Sequence, residues 1–181
     1  MWTIPTTVTV AGNEYKIRSD YRAVLDICTA LCDPELSGRD KTVVLLEIFY
    51  PDYEKIPLED YEEAVRQCFI FINCGEEETQ RKAPKLVDWE QDFQYIVAPI
   101  NRVAGGEIRT VEYMHWWTFI SYYYEIGDCL FAQIVRIRDK LARGKPLDKE
   151  ERAWLRDNRH LVEFKHKYTE AEDEILNQWT T

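Results

Sequence analysis

Hydrophobic positions along this chain of 181 residues mostly recur three and four apart, the spacing that gathers side chains on one face of a helix. The amino-terminal end differs. Thr7, Val8, Thr9 and Val10, then Glu14, Tyr15, Lys16 and Ile17, alternate around Ala11-Gly12-Asn13. Two short β-rich runs about a Gly-Asn turn predict a hairpin, which is marginal alone and needs helices under one face. Ser19 or Asp20 then caps a first helix with the stripe Tyr21, Val24, Leu25, Cys28 and Leu31, closed by Asp33-Pro34. A second is predicted from about Gly38 to Tyr50, with Val44, Leu45, Ile48 and Phe49 inward and Pro51 as its stop. The third follows Pro57 and carries Tyr61, Ala64, Val65, Cys68, Phe69 and Ile72, with Glu59, Asp60, Glu62 and Glu63 near its positive end.

Asp88 caps the fourth helix, whose Trp89, Phe93, Ile96, Val97 and Ile100 share a face. Glu90 and Asp92 sit in its first turn, where the helix dipole favours carboxylates. Pro99 lies inside this pattern and predicts a kink or an end near Ala98. Beyond Gly105-Gly106 comes the most apolar stretch, Tyr113-Met114-His115-Trp116-Trp117-Thr118-Phe119-Ile120, continued by Tyr122-Tyr123-Tyr124. A helix from about Val111 places Tyr113, Trp116, Trp117, Ile120 and Tyr124 on one face, with Met114 and Phe119 flanking. Apolar nearly all round, it is the expected central helix. A sixth helix buries Leu130, Ile134, Ile137 and Leu141 and turns Arg136, Arg138, Lys140 and Arg143 outward. Gly144-Lys145-Pro146 ends it, and Asp148 caps a charged segment holding Trp154 and Leu155.

These elements predict a mainly α protein, a compact bundle of about six helices with a short N-terminal β-hairpin. The expected organisation is a single helical domain over 1–181. Hairpin and three helices occupy 1–75, an acidic/basic linker 76–86, the helical core 87–164 and a loosely held tail 165–181. A net charge of −10 argues against nucleic acid or an anionic membrane as the main partner. No basic leader and no long uncharged apolar run is present, so neither a signal peptide nor a membrane span is expected. The five cysteines, Cys28, Cys32, Cys68, Cys74 and Cys129, are odd in number and irregular in spacing, which fits small core fillers in a reducing cytoplasm. No phosphate loop, GxSxG elbow or paired metal-ligand motif occurs, so no catalytic residue, metal or cofactor is expected and the chain reads as a non-enzymatic interaction protein.

Three segments carry a family resemblance: Asp88-Trp89-Glu90-Gln91-Asp92, then Met114-His115-Trp116-Trp117-Thr118-Phe119, then Gln133-Ile134-Val135-Arg136-Ile137-Arg138. Together with Ser19-Asp20-Tyr21-Arg22 at the first helix start, they resemble the gene-product-fifteen family of phages that infect Gram-positive bacteria. Pro99 and the extension Tyr122-Tyr123-Tyr124 depart from that pattern. The resemblance implies a tail assembly chaperone in the host cytoplasm that binds the tape-measure protein and keeps it soluble. Self-association and the tail-tube protein are further partner classes. The alternative is a structural tail or connector component retained in the virion. No catalytic residue comes with the resemblance.

Trp89, Phe93, His115, Trp116, Trp117 and Phe119 are assigned to the structural core. A partner surface must then use apolar residues that the stripes leave over, namely Ile70 and Phe71, Tyr122 and Tyr123, or Trp154 with Leu155; Tyr122 and Tyr123 are preferred, with Arg136 and Arg138 pairing with acidic residues of the partner.

Overall fold

The computed structural model describes residues 3–77 and 83–165. Eight α-helices and one two-stranded antiparallel sheet make these residues mainly α. They form two compact units, one of residues 3–77 with 113–117, the other of 83–112 with 118–165. The predicted linker is described only at 76–77 and 83–86. Of the predicted tail, all but Lys165 lies outside the described residues.

In the first unit, β1 (Thr7–Val10) pairs with β2 (Asn13–Lys16), Thr7 opposite Lys16 and Val10 opposite Asn13. The turn is therefore centred on Ala11-Gly12, one residue earlier than the Gly-Asn reading. Both have positive φ, 46° and 82°, which a two-residue hairpin turn demands of its central pair. β1 rests against α3, the helical support that a lone hairpin needs. Asp20 caps α1 (Tyr21–Leu31) by accepting from the Arg22 amide. Its fully buried face is Tyr21, Val24 and Ile27, while Leu25, Cys28 and Leu31 of the predicted stripe are half-buried. Ser37 and Asp40 close a reciprocal capping box on α2 (Gly38–Phe49), which packs on α1 and buries Leu45, Leu46 and Phe49. The Tyr50 hydroxyl donates to the Ala64 carbonyl at 2.9 Å and ties the end of α2 to α3 (Tyr61–Ile72).

The second unit begins with α4 (Trp89–Ala104), capped by Asp88 accepting from the Gln91 amide. Pro99 does not end it. The helix runs on to Ala104 and stops at Gly105, in the left-handed region with φ 74°. A proline withholds only its own amide, and side chains fasten the turn beyond it. Asn101 accepts from the Ile108 amide, and Arg102 donates to the Ile126 carbonyl. α5 (Trp116–Tyr124) starts in the first unit and continues in the second. α6 (Leu130–Ala142) packs on α4, while α7 (Lys149–Asp157) and the short α8 (Arg159–Val162) follow Asp148, whose capping box is shared with Glu151. No helix among the described residues is long and apolar enough to cross a membrane.

Two predicted stripes are displaced. α5 starts at Trp116, later than the expected start near Val111, because His115 bridges Asp20 in the approach to α1. Tyr113 is consequently half exposed and Tyr124 is 76 % exposed, whereas Trp116, Phe119 and Ile120 are buried. In α6 the buried face is Phe131, Ile134, Ile137 and Arg138, and both Leu130 and Leu141 lie exposed. Arg138 therefore points inward, contrary to its assignment as an outward cation.

Candidate functional site

The sequence His115-Trp116-Trp117 does its work through hydrogen bonds as much as through apolar area. Tyr21 donates its amide to the Met114 carbonyl at 2.9 Å, and Trp116 donates its own to the Ser19 carbonyl at 2.8 Å. Asp20, already the cap of α1, also accepts from the Met114 amide. The Trp117 amide donates to His115 Nδ1 at 3.0 Å, which makes that nitrogen an acceptor. The ring proton therefore sits on Nε2, which donates to the Pro5 carbonyl at 2.8 Å. Both indoles then serve α3: Trp116 Nε1 donates to the Ile72 carbonyl and Trp117 Nε1 to the Phe71 carbonyl, each at 2.9 Å. The last carbonyls of a helix lack partners within it, so the two tryptophans cap its carboxyl end. Trp116 is buried, while Trp117 is half-buried with its ring stacked near Phe71.

Arg138 occupies the corresponding place in the second unit. It is 4 % exposed and meets Asp92, which is fully buried, through two contacts of 2.6 and 3.0 Å. Its other bonds go to main-chain carbonyls: Nε to Val162, Nη1 to Leu86 and Nη2 to Leu161. All five guanidinium N–H groups are used, and the Phe164 ring covers the plane at 4.1 Å. Asp92 also accepts from the Asp88 amide. One side chain thus joins α6 to α4, to the segment before α4 and to α8. That requirement explains why an arginine lies on a buried helix face.

The remaining predicted residues are scattered. Tyr123 is half-buried among Trp89, Tyr124 and Phe131, with centroids 5.2, 5.8 and 5.9 Å away, and burial pushes its phenol up to about 12. Phe119 is buried and lies 6.1 Å from Trp89, which is half-buried, as are Phe93, Tyr122 and Trp154; Arg136 is exposed. Among the described residues no three His, Cys, Asp or Glu side chains are placed to hold a metal. Burial also raises the Cys28 thiol to about 12, which keeps it from acting as a thiolate nucleophile near neutrality.

The second unit also holds an open groove of about 520 Å³. Leu141 of α6, Leu155 of α7 and Val162 of α8 supply its apolar lining, and Arg152, Arg156, Arg159 and Glu163 its polar border. Of the residues considered for a partner surface, only Leu155 lines it. The available signal was the spacing of Arg152, Arg156 and Arg159, four and three apart, beside a leucine at 155. Outside the second unit, Arg66, Phe69, Ile70 and Glu77 line a smaller depression of about 240 Å³, crossed by the Arg66–Glu77 ion pair.

Comparison with curated proteins and with solved structures gives no match. The pattern of the Bacteriophage Gp15 protein family matches residues 3–164, a span that includes both the His115-Trp116-Trp117 joint and the Asp92–Arg138 pair. The chain therefore belongs to the Bacteriophage Gp15 protein family and is a phage structural or assembly protein.

Proposed function

We propose that the protein is a non-catalytic tail assembly chaperone, which binds the tape-measure protein in the host cytoplasm and keeps it soluble during tail morphogenesis. The observation that carries this reading is the groove lined by Leu141, Leu155 and Val162, open to solvent and bordered by charge. Grooves of this kind receive the apolar face of an amphipathic helix, whose anchor side chains enter at helical spacing. A tape measure, long and rich in helix, presents such faces before tail-tube protein encloses it. A net charge of −10 keeps the loaded complex from associating further. Family membership supports the setting, a phage protein of the structural or assembly class.

Co-expression tests the reading. The tape-measure protein of the same phage is expected in the soluble fraction only when this chain accompanies it, and the two should co-purify. Mass spectrometry of purified virions should then find the tape measure without this chain. Recovery of both at fixed stoichiometry would assign the protein to the finished tail, and an insoluble tape measure in both cultures would end the chaperone reading.

A further inference from the structure

The groove lies in the one strongly basic stretch of an acidic chain. Residues 136–165 carry ten Lys or Arg against six Asp or Glu, while the whole chain is at −10. Arg152, Arg156 and Arg159 stand along the groove's edge. The Arg156–Asp157 and Arg159–Glu163 pairs are local and largely exposed, with side chains 58–75 % accessible. Solvent screens such pairs, so a carboxylate from outside can replace the local one at little cost. No ion pair engages Arg152 among the described residues. A guanidinium offers two parallel N–H groups to a carboxylate, and this geometry selects Asp or Glu over other polar neighbours. A groove of this volume is within the range of small-ligand pockets, roughly 300–1,000 Å³, and accommodates a few anchor side chains, not a whole helix.

We infer that this groove takes an amphipathic helix of a partner whose apolar anchors are flanked by Asp or Glu, and that its arginine edge rejects helices flanked by Lys or Arg. The inference builds on the chaperone reading by giving the chemistry of the bound segment. Like charge across an interface suppresses wrong partners, and opposite charge accelerates encounter.

The test uses two synthetic peptides of about five helical turns. They share leucines at i, i+3, i+4 and i+7 and differ only in glutamate or lysine at the flanking positions. Fluorescence anisotropy against the full chain should show the glutamate peptide binding at least about tenfold tighter, with affinity falling as salt is raised. The triple variant R152E/R156E/R159E should invert that preference, R152E alone should weaken it, and Leu141→Asp should abolish binding of both peptides. Melting temperatures of these exposed-site variants should stay near wild type. Equal binding of the two peptides, no binding, or an unchanged preference in the triple variant overturns the inference. So does a fall in the free protein's mass by light scattering in the triple variant, because the groove would then belong to a second copy. Failure of the tape measure to co-purify leaves these peptide results standing, so the two readings fail separately.

Discussion

The joint around His115, Trp116 and Trp117 closes its unit with neutral donors on main-chain carbonyls, whereas Arg138 closes the other with a buried charge. The two solutions respond differently to damage. A neutral hydrogen bond contributes a net of about 0.5–1.5 kcal/mol, because water satisfies both groups in the unfolded chain. Several such bonds, each made by a separate group, can be lost one at a time. A buried ion pair has already absorbed the desolvation of both charges, so losing one partner leaves the other stranded. The first arrangement degrades in steps, and the second is close to all or none.

Arg138→Met is the substitution expected to do most harm. It strands the Asp92 carboxylate and withdraws donors from the Leu86, Leu161 and Val162 carbonyls, at a cost of about 3–5 kcal/mol in urea unfolding. Adding Asp92→Leu should recover part of that loss, since a well-packed apolar pair can match a buried ionic one. A cost below about 1 kcal/mol for the single variant would remove the contrast between the units.

Trp116→Ala comes next, at about 3–5 kcal/mol, through the cavity left by a fully buried indole and the lost bond to Ile72. Trp117 makes the equivalent bond to Phe71 but is only half-buried, so Trp117→Ala should cost about 1–3 kcal/mol. Melting curves of the two variants test whether burial, and not the shared hydrogen-bond pattern, sets their ranking. Equal losses would assign the stability to the capping bonds.

The same contrast governs what could be read in advance. The hairpin, the caps Asp20 and Asp88 and the mainly α class follow from local chemistry, which acts within a few residues. The aromatic stretch was legible as a core because nothing else in the chain can bury so much area. Its helix start was not, since the Met114 carbonyl accepts from Tyr21 and the Trp116 amide donates to Ser19, a pairing nearly a hundred residues distant in sequence. Arg138 departs from the sequence pattern for a general reason: an arginine at helical spacing among other cations has the pattern of a solvated face. Only its partners, on α4 and α8, make its burial tolerable. Of the groove only Leu155 was legible as a contact residue, because Leu141 fits the apolar period of α6, and the period alone cannot say which face meets a neighbour.

His115 offers a finer cut within the neutral joint. His115→Asn retains an acceptor near the position of Nδ1 for the Trp117 amide and gives up the reach to Pro5. His115→Gln does the reverse. Each should cost about 1 kcal/mol, and alanine about the sum of the two. Nitrogen chemical shifts of the wild-type ring should report the Nε2–H tautomer. Observation of the Nδ1–H form would mean that the Trp117 amide is bonded elsewhere.

The smallest expected effect concerns surface carboxylates, one in each unit. Hydrogen bonds from Arg66 and then Gln67 hold Glu63 well below the usual range, at about 2, and those from Arg109 and then Asn101 do the same for Glu107. Both side chains are about a third exposed, at 34 and 33 %, so solvent screening keeps their influence on stability modest despite these shifts. A carboxylate with a lowered folded-state pKa binds protons more readily in the unfolded chain. Its contribution is therefore complete above the ordinary value of 4.5 and is lost as pH falls from there towards about 2. Glu63→Gln and Glu107→Gln should each lower the melting temperature slightly at neutral pH, with the difference from wild type shrinking through that window. If either difference persisted unchanged to pH 2, the lost interaction would be one that the neutral acid also makes, and the ion pair would not be its source.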